Sequence, residues 1–313
     1  MNDYIVIQRE GFYTTIQDNK RIGYKRYGIP ESGPMDENSY MFSNWLVGNN
    51  LNSEVLEITY NGPKIKFTFN AKIAICGSLT NIYLNKIKIK MNQTIKIKQN
   101  DILDISSCKN GNRVYLAIAG KINIKTHFNS KSTYDKCSIG GYKGRKLLKN
   151  DKIKIIANEI DEVKKLPEIL SSKFTENNLI RIIPGPEYNL LDQESKNKLT
   201  NGFFEIDIKS DRMGIRLCNN RIKLLNKINM ESSLITKGSI QLPPDGNPII
   251  IMSDGQTTGG YPRIGVVSKV DISRLSQIKI RNNIKFKIIS LRESENLIKY
   301  NKNKFITNLG TIY

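Results

Sequence analysis

The segment Ser253–Gly265, SDGQTTGGYPRIG, gathers Asp254, Gln256, Thr257, Thr258 and Tyr261 around the pair Gly259 and Gly260. Its lead-in, GSIQLPPDGNPIIIM, adds Gln241 and Asp245, and Arg263 stands near its end. Carboxamides, hydroxyls and a carboxylate in one stretch supply donors and acceptors together, and adjacent glycines let two backbone amides face a ligand. Such a set can hold a small polar molecule and stabilise charge that develops on its oxygen. A turn between two apolar runs is the competing reading; the density of polar groups favours a site.

Three further clusters carry candidate chemistry. GFYTTIQDNKRIGYKRYGIPESGPMD places Gln17, Asp18, Arg21, Tyr24, Arg26, Ser32 and Asp36 on chain too rich in glycine and proline to be one regular element. Loops of this kind form binding rims. They also form networks, in which Asp18 would cap a turn and Arg21 would pair with Asp36. FNSKSTYDKCSIGGYKGRKLLKND offers Ser132, Thr133, Gly140, Gly141, Gly144 and Arg145 to an anion or an acyl oxygen, but lacks the residue order of a P-loop. IKSDRMGIRLCN carries Arg212 and Arg216 beside Asp211, where Gly214 argues for strand, turn and strand rather than helix. An arginine fork there could take a substrate carboxylate.

Other chemistries find little footing. The chain has one histidine, His127, and no nucleophile elbow to serve a Ser-His-Asp triad. No compact acidic set has metal-ligand spacing, so no metal is expected. Cys76, Cys108, Cys137 and Cys218 form no CxxC pair and are expected to be reduced thiols, with Cys76 in KIAICGSL a small buried hydrophobe. The 49 Lys and Arg against 29 Asp and Glu give a net charge of +20. Yet the lysines alternate with isoleucine, as in NKIKIKMNQTIKIKQND, which is how the solvent face of a half-buried strand reads. Nucleic-acid binding is therefore not expected. The N-terminus lacks a signal-peptide core and no apolar run is long enough to span a bilayer, so a cytoplasmic protein with no membrane partner is expected.

The elements that must position these residues are mostly strands. YIVIQ, EVLEITY, KIKFTF, KIAICG, RVYLAIAG and DKIKIIA follow one another at short spacing, separated by turn signals such as Asn61-Gly62-Pro63. PMDENSYMFSNWLVGN is the exception, a helix of about three turns with Asp36 as N-cap, Gly48 at its end and a stripe through Met41 and Trp45, Phe42 and Leu46 beside it. A second helix is expected around YNLLDQESKNKLTN. The polar tract at Asn158–Asn178, which contains Pro167, reads as a linker. The expected organisation is two β-rich domains, 1–165 and 166–313.

The motifs TTIQD with Arg21, GIPESGPMD, LEITYNGP, RVYLAIAG, IRIIPGPE, SDRMGIRL, SIQLPPDGNPIIIM and DGQTTGGYPRIGVVSKVD resemble, in this order and nearly end to end, the biotin-dependent carboxyltransferase family of the allophanate hydrolase subunit 2 type. The resemblance implies two cyclophilin-like β-barrels with a few short helices. It implies a component of an ATP-dependent 5-oxoprolinase that opens 5-oxoproline to glutamate, inactive alone. Its direct partner would be the B component of that enzyme, a protein of the allophanate hydrolase subunit 1 type, and a separate A component would complete the assembly. ATP with Mg2+ would act in the assembly, and biotin would not be carried on this chain. Asp254, Gln256, Thr257, Arg212, Arg216 and Tyr261 would then be catalytic, and Gln17, Asp18, Arg21, Asp36, Ser132, Thr133, Gly259 and Gly260 would bind the cofactor. Two alternatives stand beside it: a urea carboxylase or allophanate hydrolase type carboxyltransferase component, and a regulatory antagonist that binds an inhibitor of a histidine kinase. Lys20, Lys121 and Lys131 depart from the family's glycines and arginine.

Overall fold

Alternation of isoleucine with lysine is realised as half-buried strand: in Lys152–Ala157, Ile153 and Ile155 are buried while Lys152 and Lys154 face solvent. The computed structural model describes residues 3–158, 162–171, 178–226 and 228–310. The tract read as a linker, 158–178, therefore lies in part outside the described residues. The chain divides into two compact units, one comprising Met1–Ile22 with Ser32–Phe174 and the other Gly23–Glu31 with Thr175–Gly310.

The first unit stacks two antiparallel sheets on one apolar core. The larger runs in the order Gly120–Ile122, Lys152–Ala157, Tyr4–Arg9, Lys64–Phe67, Ile102–Cys108, Thr80–Leu84 and Ile87–Ile89. The smaller runs Tyr13–Gln17, Val55–Thr59, Arg113–Ile118, Ala71–Gly77 and Thr94–Ile97. Ile5, Ile65 and Phe67 from one sheet meet Ile58, Ile75 and Leu116 from the other in a single cluster. Val55–Thr59 and Arg113–Ile118 are buried along their whole length.

This unit corrects the expectation of two barrels, because no strand among the described residues belongs to both sheets. Its edges are satisfied by irregular chain instead. Thr14 and Ile16 of the edge strand accept backbone hydrogen bonds from Leu147 and Thr133, and at the other edge Thr94 donates to the carbonyl of Lys164. An edge partly bonded by a loop has fewer free groups to drive closure.

The helix Glu37–Leu46 begins at Asp36, whose carboxylate accepts from the Ser39 N–H at 3.1 Å. It buries Tyr40, Phe42 and Leu46, whereas Met41 and Trp45 are only half-buried. The apolar stripe therefore runs one residue away from the one expected. Trp45 is covered by the Lys164 ammonium, 5.0 Å from the ring centroid.

The second unit does close. Leu179–Pro184, Arg263–Val267, Ser239–Gln241, Ile249–Ile251, Gly214–Cys218, Phe204–Ile206 and Asn283–Ile288 form a seven-stranded barrel, sealed by parallel pairing of the last strand with the first. Phe204 and Phe286, both buried, bring their ring centroids to 5.3 Å. Among the described residues three α-helices join it, Gln193–Asn201, Lys269–Gln277 and Leu291–Leu309, and no helix of those residues is long and apolar enough to cross a membrane.

Candidate functional site

Antiparallel pairing of Gly214–Cys218 with Ile249–Ile251 sets Gly214 opposite Ile251. The chain entering one strand is thereby laid beside the chain leaving the other. Met252 donates to the carbonyl of Met213 at 2.9 Å and Asp254 to that of Arg212 at 2.8 Å. The side chains complete the join: Arg212 Nε lies 2.7 Å and Nη2 3.1 Å from the two oxygens of Asp254. With Arg212 6% and Asp254 2% exposed, this is a buried bidentate pair. Asp211 caps the turn, accepting from the Met213 and Gly214 N–H groups. Arg216 sits on the exposed face of its strand, so the two arginines do not share a site.

The loop beyond Asp254 is held by a two-stranded ribbon that pairs Ser233 with Gly259 and Leu234 with Thr258. Thr257 is buried and accepts through its carbonyl from Ile235; Gln256 and Thr258 are exposed. Gln256 reaches inward, its Nε2 donating to Oε1 of Gln241 at 3.4 Å. Gln241 ends a barrel strand at a bulge, is 1% exposed, and leaves Nε2 without a hydrogen-bond partner among the described residues. Gly259 makes room for both amides: a Cβ there would stand 2.7 Å from Gln241 Nε2 and 3.0 Å from Gln256 Nε2, and would strike Ile235. Gly260 and the 42%-exposed Tyr261 border a cavity of about 930 Å³ whose wall includes Ile222, Leu224, Leu242 and Pro243, with Arg221 and Lys223. Arg263 turns to Glu187 in a second fork, 3.1 and 3.0 Å. Burial alone would raise Glu187, but the Arg263 guanidinium and N–H outweigh it and hold its carboxyl below the usual range.

In the first unit the structure brings Gln17, Asp18, Arg21, Ser132 and Thr133 together and turns them on one another. Asp18 accepts from the Ser130 and Ser132 hydroxyls and the Lys131 N–H, each at 2.6 Å. Arg21 is fully buried, donating to the carbonyls of His127 and Ser132 and to the Ser32 hydroxyl. Gln17 donates to the Thr133 carbonyl, and the Thr133 hydroxyl to that of Ile16. A side chain on Gly140 would strike the Ser132 carbonyl, and one on Gly141 the Thr133 hydroxyl. Both glycines are left-handed, so they are required by the turn itself. Arg145 forks Asp151 at 2.7 and 2.9 Å. Lys131 gives its ammonium to Glu54 at 2.7 Å and to the Ile122 carbonyl at 2.8 Å.

Asp36 belongs to a neighbouring network that the motif reading missed. Its N–H donates to the Tyr115 hydroxyl, which donates to Glu57; the Met35 N–H donates to the same carboxylate oxygen, each at 2.8 Å. Glu57 is fully buried, with Arg113 at 3.9 Å. The signal was present in EVLEITY, where a glutamate interrupts an apolar strand without a turn residue beside it.

Comparison with known proteins places this geometry among relatives. The family model described as "Carboxyltransferase domain, subdomain A and B" matches residues 27–288. The chain is 33% identical over 290 residues to the C component of the 5-oxoprolinase of Escherichia coli, covering 92% of each. Among solved structures, the urea amidolyase of K. lactis superposes with a TM-score of 0.92 at 30% identity, over 98% of this chain and 20% of that one. The Kluyveromyces lactis urea carboxylase does so at 0.91 and 29% identity, over 98% and 29%. This chain thus spans less than a third of either solved relative.

Proposed function

From the premise that the chain belongs to the family of the carboxyltransferase domain, subdomains A and B, we propose that it is the carboxyltransferase-type component of a larger enzyme assembly acting on a small amide, and that the amide meets it at the loop Ser253–Gly265. The observation that carries this reading is the family match, which runs through the Arg212–Asp254 pair and the whole of that loop.

Amide carbonyls are poor electrophiles and amide nitrogens poor nucleophiles. Either reaction at such a group gains from donors fixed where charge develops on its oxygen. In this reading Gln256 and the backbone around Gly259 and Gly260 supply those donors. Arg212 acts as a positioning residue: with Nε and Nη2 on Asp254, it pins the root of the loop to the barrel rather than holding a substrate carboxylate. The apolar wall of the neighbouring cavity suits an uncharged lactam or ureido group. Biotin, arriving on another protein, would supply the activated carboxyl group.

Carboxyl transfer to a urea-type amide is the better supported form, because the matching family is a carboxyltransferase and both superposed structures are of urea-metabolising enzymes by name. One observation favours a second form, 5-oxoproline opening: the E. coli 5-oxoprolinase component matches over 92% of both chains. There the chain would work with the A and B components of such an enzyme, and ATP with Mg2+ would act in the assembly. Arg21 and Asp18, each bonded to Ser132, would then shape the first unit rather than touch the nucleotide.

Two assays of the chain mixed with its candidate partners separate the forms. Bicarbonate-dependent carboxylation of urea that requires a biotin-bearing partner supports the first. ATP-dependent release of glutamate from 5-oxoproline supports the second. Neither activity in complete, demonstrably assembled mixtures would sink the proposal.

A further inference from the structure

Gln241 is an anomaly by the ordinary rules of burial. A carboxamide sits at the end of a barrel strand, between Ile240 and Leu242, at 1% exposure. Its Oε1 receives a single long bond from Gln256, and its Nε2 has no partner among the described residues. Buried amide nitrogens are almost always bonded, since an unmade hydrogen bond costs more than a made one contributes. Methionine or leucine would fill the position without that cost. Exchanging the two ends of the amide would not remove the anomaly, because one polar atom would still face no partner.

The surroundings identify what is missing. Gln241 Nε2 and Gln256 Nε2 both pack against Gly259, so closely that a side chain there would clash with each of them. Gln256 is exposed and held to Gln241 only by the 3.4 Å bond. It can turn aside at little cost and open the path to the amide beneath. The residues that follow Gln241 and Gly259 in the chain, Leu242 and Gly260, line the neighbouring cavity, so an amide bound there has its oxygen within reach of both carboxamides once Gln256 has swung out. An acceptor-only oxygen is the group that such a pair receives.

We infer that Gln241 is a substrate-positioning residue: its Nε2 donates to the carbonyl oxygen of the bound amide, with Gln256 serving first as cover and then as second donor. The inference rests on the proposed reading of the loop and deepens it by naming the buried partner of the substrate oxygen.

The test is made on the full chain, isotopically labelled for NMR. The side-chain NH2 resonances of Gln241 are assigned by their loss in Gln241→Met, and the protein is titrated separately with 2-pyrrolidinone and with urea. The expected result is a saturable shift of the Gln241 pair, with the same midpoint as the Gly260 amide. In Gln241→Met the affinity falls about tenfold, with a melting temperature equal to or above that of the wild type. Gln241→Glu, which puts an acceptor in place of the donor, also loses binding. If Thr257 and Gly260 shift while the Gln241 pair stays still, the amide binds without Gln241; the inference is overturned and the reading of the loop stands. If neither probe moves any resonance between residues 253 and 261, both fall. A Gln241→Met variant with unchanged affinity and a lower melting temperature assigns Gln241 to structure alone and also overturns the inference.

Discussion

Replacing Asp254 by asparagine keeps the shape of the side chain and removes its charge. Arg212 would then be left with a buried guanidinium facing a neutral amide, where it now makes bonds of 2.7 and 3.1 Å to a carboxylate. At 6% and 2% exposure neither member can recover hydration by a small rotation. Breaking a buried pair from one side costs about 3–5 kcal/mol. At roughly 3 °C per kcal/mol for a unit of this size, the melting temperature of the second unit should fall by about 10–15 °C. The only tryptophan, Trp45, lies in the first unit, so its fluorescence reports that unit while far-UV circular dichroism reports both. The Asp254→Asn protein should show an early circular-dichroism transition without a matching change in Trp45 fluorescence. The double variant Arg212→Met with Asp254→Leu should recover most of the loss, because an apolar pair carries no desolvation cost. A loss below about 1 kcal/mol in the single variant, the scale of an exposed ion pair, would refute the claim that this pair pins the loop.

Three further substitutions test the frame around the sites. Gly141→Ala places a methyl group against the Thr133 hydroxyl and forces alanine into a left-handed conformation at φ 55°, so it should destabilise the first unit by about 2–4 kcal/mol. Gly28→Ala, left-handed but with open space around it, should cost only about 1 kcal/mol, and chemical denaturation of both variants measures the difference. Asp271 is buried, which alone would raise its pKa, but the fork of Arg181 and the charge of Arg274 outweigh burial and hold it below the usual carboxylate range. A depressed folded pKa gives stability that is complete above the unfolded value and is lost as pH falls through the folded one. The melting-temperature gap between wild type and Asp271→Asn should therefore be constant near neutrality and shrink below about pH 4. A gap that widened on acidification would contradict the pairing.

Local pattern was legible in the chain wherever one face of an element meets solvent. Lys152–Ala157 shows it, and so does Asp36 as an N-cap, because both depend on neighbours in sequence. Closure was not legible. Both units are strand-rich, yet only the second forms a barrel, and the difference lies in loop amides that donate to the edge Tyr13–Gln17 from over a hundred residues away. Leu291–Leu309 carries a signal of its own: Ser290 and Glu293 form a capping box whose spacing marks a helix start, masked only by the run of strands before it. Lys269–Gln277 gives less warning, since Ser268 makes no side-chain cap and Asp271 in its first turn serves Arg181. In the candidate site, the residue types of Ser253–Gly265 announced polar chemistry. Their pairing with Arg212 and Gln241 was not legible, although both were candidates, because those two reach the loop only through barrel pairing.

The choice between a urea-type amide and 5-oxoproline turns on one physical requirement, a cation for the carboxylate that only the lactam carries. On sequence alone that task falls to Arg212 and Arg216. The structure commits Arg212 to Asp254 and sets Arg216 on an outer face, while Arg263 is forked by Glu187. Arg221 and Lys223 are the cations that line the cavity beside Gly260 and Tyr261, both exposed, with Asp245 near Arg221. If 5-oxoproline is the substrate, its carboxylate falls to these two. Arg221→Gln with Lys223→Gln should then raise KM for 5-oxoproline about tenfold or more, as loss of a charged hydrogen bond does. The same change should leave kcat and the binding of uncharged 2-pyrrolidinone nearly as they were. An unchanged KM would mean that no carboxylate is read at this cavity, and would move the substrate toward an uncharged urea.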